Sequence, residues 1–287
     1  MMKMHYLIFW AVVLFASACG KKSSDEPKID ENKPPVNSGT VTKDRNIKVM
    51  TYNIHHANPP AKSETTIDLS AIAAVINAEK PDFVALQEVD KNTRRSGINS
   101  NQAQELGART GMSVFFSKSI DYDGGEYGNA VLSKFPIVDK MRYELPLAQG
   151  TTGEMRSVAV ISVKAEGDNP KIYFGSTHLE VSNAATKLAQ IEELKRINSG
   201  FQAPFILGGD FNALPTDPAI TALQQSFTAG CLSSCPFTFP ATSPTRTIDY
   251  IFLNQKAAAA FTVINYRTAN EAVASDHRAV VAELKLK

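Results

Sequence analysis

The sequence predicts a mixed α/β fold with more than one β-sheet. Strand-like segments outnumber helical ones, and the two kinds are interleaved along the chain. Over 287 residues, 43% apolar and 21% charged is ordinary globular composition. Coiled-coil, collagen-like and wholly disordered chains are excluded, and beyond the N-terminus no stretch approaches the ~18 apolar residues of a membrane-spanning helix.

Residues 47–53 alternate well enough for a strand, and Asp68 caps a helix with Leu69, Ile72, Val75 and Ile76 on one face, stopped before Pro81. Residues 82–88 form a strand of the buried type. A second helix is expected over 102–109, ended by Gly111, followed by strands near 113–116, 130–133, 157–163 and 172–176. The longest helix, 184–198, carries Leu188, Ile191, Leu194 and Ile197 at helical spacing. Residues 205–209 return to strand, 218–225 make a short helix, and strands follow at 248–253, 261–266 and 279–286. Neither repeat nor linker interrupts residues 47–287, which are expected to form one domain.

The N-terminus has the layout of a secretory signal peptide: Lys3, an apolar run over 6–15, then the small residues Ala16-Ser17-Ala18. Cys19 directly after them resembles the lipobox of bacterial lipoproteins, where the Cys becomes the lipidated first residue. Ala16 stands where Leu is commoner, and the alternative is an ordinary signal peptide followed by an incidental Cys. Residues 1–18 are therefore expected to be removed, and 19–46, with only Ile29, Val36 and Val41 as aliphatic residues, to form a lipidated flexible tether. That predicts an exported protein, anchored at the membrane on the periplasmic side or the cell surface, and monomeric.

Loss of 1–18 takes the formal charge from +1 to 0. A neutral chain has no global field drawing it to nucleic acid or anionic lipid, although a local groove can still be basic. Cys231 and Cys235 are close enough in sequence for a local disulfide in an exported protein.

Several strands end in polar residues that β-propensity does not explain: Asn53, Glu88, His178 and Asp210, with Asp249 inside another and Asp276-His277 just before the last. The four histidines after the signal segment, His55, His56, His178 and His277, all lie in these segments. Hard oxygen donors such as Glu88, Asp276 and the amide of Asn53 suit Mg²⁺ or Mn²⁺. Imidazole and carboxylate together suggest hydrolysis of a phosphate ester, in which metal neutralises charge, a His donates to a phosphoryl oxygen and an Asp aligns water.

Seven segments in order, Thr51-Tyr-Asn53-Ile, Leu86-Gln-Glu88, Gly128-Asn129-Ala-Val-Leu-Ser133, Ser176-Thr-His178-Leu, Gly208-Gly-Asp210-Phe-Asn212, Ile248-Asp249-Tyr-Ile-Phe and Ser275-Asp276-His277, resemble the signatures of the endonuclease/exonuclease/phosphatase superfamily. The resemblance covers the whole globular part. It implies a four-layer α/β sandwich, two sheets face to face with helices outside, whose motifs meet at one rim. It also implies roles. Glu88 would be the principal Mg²⁺ ligand, helped by Asn53 and Asp276. Asp210 would orient or deprotonate water, Asn212 would hold phosphate or nucleophile, and Gly208 and Gly209 would allow a tight turn. His277, held by Asp249, would face the phosphate, with His178 as a second phosphate-facing histidine.

Arg156, Tyr127 and Asn129 occupy positions where relatives place phosphate-contacting groups. Arg94 and Arg95 form either a phosphate-gripping loop or a solvated charge run, and His55 and His56 extend toward the substrate entrance. Pro244-Thr-Arg-Thr-Ile-Asp249 departs from the pattern of inositol polyphosphate phosphatases. The chain looks most similar to bacterial metal-dependent hydrolases of the superfamily, a branch that also resembles hydrolase-like proteins of glycosylphosphatidylinositol remodelling. The leading expectation is an Mg²⁺-dependent phosphodiesterase; the alternatives are an exported DNA or RNA endonuclease, a glycolipid phosphodiesterase and a catalytically silent binding lipoprotein.

Overall fold

A strand buried on both faces needs packing on each side, and the strand sequences supply it. In β1 (Asn46–Asn53), Ile47 and Val49 join one apolar cluster while Met50 and Tyr52 join another, the alternation that period two requires. β2 (Phe83–Lys91) does the same with Phe83 and Ala85 against Val84 and Leu86. The computed structural model describes residues 39–287 except 168–170 and 232–233; the signal segment, Cys19 and most of the tether lie outside the described residues.

The remaining elements are α1 (Leu69–Glu79), α2 (Gln102–Thr110), β3 (Ser113–Tyr122), β4 (Gly125–Ser133), β5 (Asp139–Leu145), β6 (Arg156–Lys164), β7 (Lys171–His178), α3 (Ala184–Ser199), β8 (Phe205–Asp210), α4 (Pro218–Leu223), β9 (Phe227–Ala229), β10 (Asp249–Asn254), α5 (Gln255–Ala260), β11 (Phe261–Thr268) and β12 (Val280–Leu286). They form two six-stranded sheets, β11-β12-β1-β2-β4-β3 and β5-β6-β7-β8-β10-β9. One cluster lies between the sheets, with Phe83 stacked on Phe174 at 5.2 Å. A second packs α1 and α2 on the first sheet, and a third packs α3 and α4 on the other. This is the expected α/β sandwich.

Local signals place the helices. Asp68 accepts from Ala71 N, Asn101 from Gln104 N and Asn183 from Thr186 N, each filling a vacant donor at a helix start. Lys80 and Gly111 end their helices in the left-handed conformation.

Four expectations need correction, and one strand lay outside them. Val41, assigned to the tether, is fully buried in the inter-sheet core and bridges Ala165, and β1 starts at Asn46, so packed chain begins before Ile47. β3 and β4 form a longer hairpin than 113–116 and 130–133, because polar residues pair along its projecting half. β5, a segment for which the sequence predicts no element, is an edge strand with alternate residues exposed. Leu188 is 39% exposed, whereas Ile191, Leu194 and Ile197 are buried. Gly208 and Gly209 lie within β8 without a positive φ; a Cβ on Gly209 would sit 2.5 Å from Thr177 O, and one on Gly208 3.0 Å from Thr51 Cβ. They permit close approach, not a turn.

Strand direction gathers the site. β1 runs parallel to β2, and β7 parallel to β8, so Asn53, His178 and Asp210 all end at one rim. β10 is antiparallel to β8 with Asp249 opposite Asp210, and β12 is antiparallel to β1, so the segment before Val280 passes that same rim. A buried polar ladder clamps the sheets beneath: Thr51 Oγ1 donates to Gln87 Oε1 at 3.3 Å, and Gln87 Nε2 to Ser176 Oγ at 3.0 Å.

Candidate active site

Asn53 is fully buried, and its amide links both sheets. Nδ2 donates to Glu88 Oε1 at 2.9 Å and to Asp210 Oδ2 at 3.1 Å, while Oδ1 accepts from His55 N at 3.0 Å. Every hydrogen-bonding group of that amide is engaged, so Asn53 positions the two carboxylates. Glu88 sits where the β2–β4 register shifts between Leu86 and Val89, with φ at 58°. A left-handed conformation costs a non-glycine residue roughly 1–2 kcal/mol. Here it coincides with a half-buried carboxylate displaced from the regular ladder.

Asp210 is the hub. Its Oδ2 lies 3.6 Å from His178 Nε2 and 3.7 Å from His277 Nε2, and its Oδ1 accepts from Asn212 N at 2.9 Å. Burial, reinforced by Asp249, raises its pKa against the opposing influence of His277 and the two N–H donors.

Asp249 accepts from His277 Nδ1 through Oδ2 at 2.9 Å and Oδ1 at 3.1 Å. This fixes the proton on Nδ1 and turns Nε2 toward Asp210. Burial opposes charge on His277, but Asp249, with Asp210 and Asp276, outweighs it and raises the imidazole pKa to about 10. Phe239 packs on the same ring at 4.8 Å.

His178 has the opposite character. Burial, helped by Arg156 and His277, holds its pKa well below the ordinary value, so the ring is neutral. Asn212 Nδ2 reaches both His178 Nε2 (3.0 Å) and Leu179 O (3.1 Å); the carbonyl fixes the amide orientation, so Nε2 accepts and Nδ1 carries the proton. That buried Nδ1 has no partner among the described residues. Asn212 itself has φ at 46°.

The structure thus joins Asn53, Glu88, Asp210, Asn212, His178, Asp249 and His277 in one continuous set of contacts. Asp276 is half-buried, with Oδ1 4.0 Å from His55 Nδ1. Tyr127 and Arg156 are both buried; Arg156 pairs with Glu154 at 3.2 Å and keeps a buried Nε without a partner among the described residues. Tyr127 keeps its proton, its pKa raised by burial and then by Glu88. Arg95 donates twice to the fully buried Asp90, at 2.7 and 2.9 Å, and lies 4.4 Å from the Tyr122 ring and 5.6 Å from Tyr127. Asn129 Nδ2 donates to Ser157 O at 2.8 Å, a link between sheets, and its buried Oδ1 is unpaired among the described residues.

Two supports escaped sequence reasoning. Ser275 Oγ donates to Asn53 O at 2.7 Å and accepts from His277 N at 3.3 Å, and Thr238 Oγ1 accepts from Ile248 N and, at 3.4 Å, from Asp249 N. Ser275 sits in a segment already singled out, but nothing distinguishes a supporting Ser or Thr from a scaffold one before the fold is known. Cys231 and Cys235 form the anticipated disulfide, with Cα atoms 5.0 Å apart.

Asp210, Asp249 and His277 bring one donor atom each within 4.8 Å of one another, a buried group that could bind a metal ion. At the rim, Glu88 and Asp276 offer half-buried hard oxygens.

The chain is similar to YbhP of Escherichia coli K12, at 27% identity over 263 residues, covering 85% of this chain and 98% of that one. Among solved structures it resembles an endonuclease/exonuclease/phosphatase from Beutenbergia cavernae, with TM-score 0.68, 25% identity and coverage of 84% of this chain and 72% of that one. A mannosyl-6-phosphatase from Bacteroides thetaiotaomicron shares the fold with TM-score 0.63, 20% identity and coverage of 83% and 99%. The model of the Endonuclease/Exonuclease/phosphatase family matches residues 50–277, which run from just before Asn53 to His277, and the chain belongs to that family of phosphoester hydrolases.

Proposed function

We propose that the chain is a Mg²⁺-dependent phosphodiesterase in which water attacks phosphorus. The observation that carries this reading is the convergence of the Asn53 amide, a neutral imidazole and a cationic imidazole on one oxygen of Asp210.

Asp210, with its raised pKa, is the base that aligns water and accepts its proton as the new P–O bond forms and the ester P–O bond breaks. His277, held cationic by Asp249, donates from Nε2 toward a phosphoryl oxygen and balances its growing charge. Asn212 and neutral His178 orient the phosphate, and Tyr127 and Arg156 form a donor wall beside Glu88. Glu88 and Asp276 suit a hydrated hard cation, and a bound Mg²⁺ would supply charge neutralisation to the phosphoryl group. The closed Asp210-Asp249-His277 group suits it less, because His277 Nδ1 is already committed to Asp249.

Export and anchoring through Cys19 belong to the same proposal. The charge balance supports a small phosphoester over a polyanion. The test is turnover with Mg²⁺ or chelator on nucleic acids, phospholipids and simple phosphomono- and diesters, alongside His277→Ala. Metal-dependent cleavage lost in the variant is expected; a strong salt dependence on nucleic acid would favour the endonuclease instead.

A further inference from the structure

Beside the reaction centre, Arg95, Tyr122, Tyr127 and Glu154 line a cavity of about 90 Å³. Two connections join it to the chemistry: Tyr127 stands in register opposite Asp90, two residues along β2 from Glu88, and Glu154 pairs with Arg156 at 3.2 Å. A phosphate placed against Arg156 and Glu88 would therefore point one of its ester substituents at this cavity.

The walls are held in place. Asp90, fully buried, accepts from Arg95 Nε and one Nη as well as from Thr93 and Ser96 hydroxyls. Asp123, at the tip of the β3–β4 hairpin, accepts from Arg95 N at 2.7 Å through its side chain and from Arg94 N at 2.9 Å through its carbonyl. The loop carrying Arg95 and the hairpin carrying both tyrosines thus form one docked unit.

The lining also limits what enters. Arg95 is already neutralised by Asp90, yet its other Nη has no protein partner among the described residues and remains a free donor. Glu154, whose side chain is 48% exposed, is an acceptor that repels a second anion. The tyrosine rings, 5.9 Å apart, give apolar faces. A donor, an acceptor and two aromatic faces match a neutral group with adjacent hydroxyls on a carbon frame. The small size of the cavity favours a three-carbon polyol over a nucleoside.

We infer that Arg95, Tyr122 and Glu154, with Tyr127, form a specificity subsite for a small uncharged polyol, of glycerol size, esterified to the phosphate. This rests on the phosphoester reading of the neighbouring centre and names the substrate class within it.

The test is calorimetric binding of glycerol 3-phosphate, methyl phosphate and thymidine 5′-phosphate to the full chain with Mg²⁺, with phosphate release followed in the same samples. Glycerol 3-phosphate should bind about tenfold more tightly than methyl phosphate, the worth of one or two added hydrogen bonds. Both Tyr122→Ala, at a partly exposed position, and Glu154→Gln, which keeps the shape, should bring that ratio close to one. Equal binding of the glycerol and methyl esters, no binding of any probe, a preference for the nucleotide, or a ratio unchanged in both variants would overturn the subsite. Failure of the hydrolase reading is distinguishable: it would appear as the polyol preference without cleavage of any phosphomono- or diester.

Discussion

The amide of Asn53 holds Asp210 at 3.1 Å across 157 positions of sequence, joining the end of a strand in one sheet to the end of a strand in the other. The same nitrogen holds Glu88, so one small side chain sets the spacing between the proposed water-aligning and metal-binding carboxylates. Asn53→Ala would leave both without their shared donor. Turnover should fall about 100-fold through misplacement, and stability by about 1–3 kcal/mol from the unsatisfied buried groups. Asn53→Asp should be worse on both counts, because it adds a third carboxylate. Steady-state kinetics and urea unfolding read the two effects separately.

Asp249 governs the charge of His277. A histidine whose folded pKa lies near 10, against an ordinary 6.5, contributes stability fully present below pH 6.5 and lost as pH rises through 10. In Asp249→Asn that contribution should vanish, because burial then acts without its counterweight. Unfolding free energy measured from pH 6 to pH 10.5 should fall more steeply in wild type than in the variant, and the His277 resonance should titrate far lower in the variant.

His56 titrates in the opposite sense. Burial, followed by Arg95 and His55, lowers its pKa to about 4. The unfolded chain takes up that proton first, so stability should drop as pH falls from 6.5 toward 4. His56→Asn removes the titration and tolerates the left-handed φ of 43° at this position. The acid limb of the stability profile should flatten over that interval.

Val41 defines where the folded chain begins. A chain starting at Ile47 loses this fully buried side chain and its bridge to Ala165. One starting at Gly39 should be more stable by about 1.5–3 kcal/mol, measured by denaturant unfolding.

Much of the candidate site was legible because polar residues at the ends of buried strands break the rule that made the strands recognisable. Asn53, His178 and Asp210 stand out against the apolar runs before them, and their order along the chain carried the family resemblance. What sequence could not supply was pairing. Nothing local says that Asn53 spends its carbonyl on His55 N, or that Asn129 bonds Ser157 in the other sheet. Val41 and the edge strand β5 were missed for one reason: a single aliphatic residue among charges, or alternating charges on a sheet edge, reads as solvated chain until a partner strand is known.

The most direct test is hydrolysis of bis(p-nitrophenyl) phosphate by wild type, Asp210→Asn and Glu88→Gln, each titrated with Mg²⁺ after chelation. Metal-dependent turnover should appear in wild type and fall at least about 100-fold in both variants while their melting temperatures stay within a few degrees. Turnover that survives chelation, or that persists near the wild-type rate in Asp210→Asn, would contradict the account.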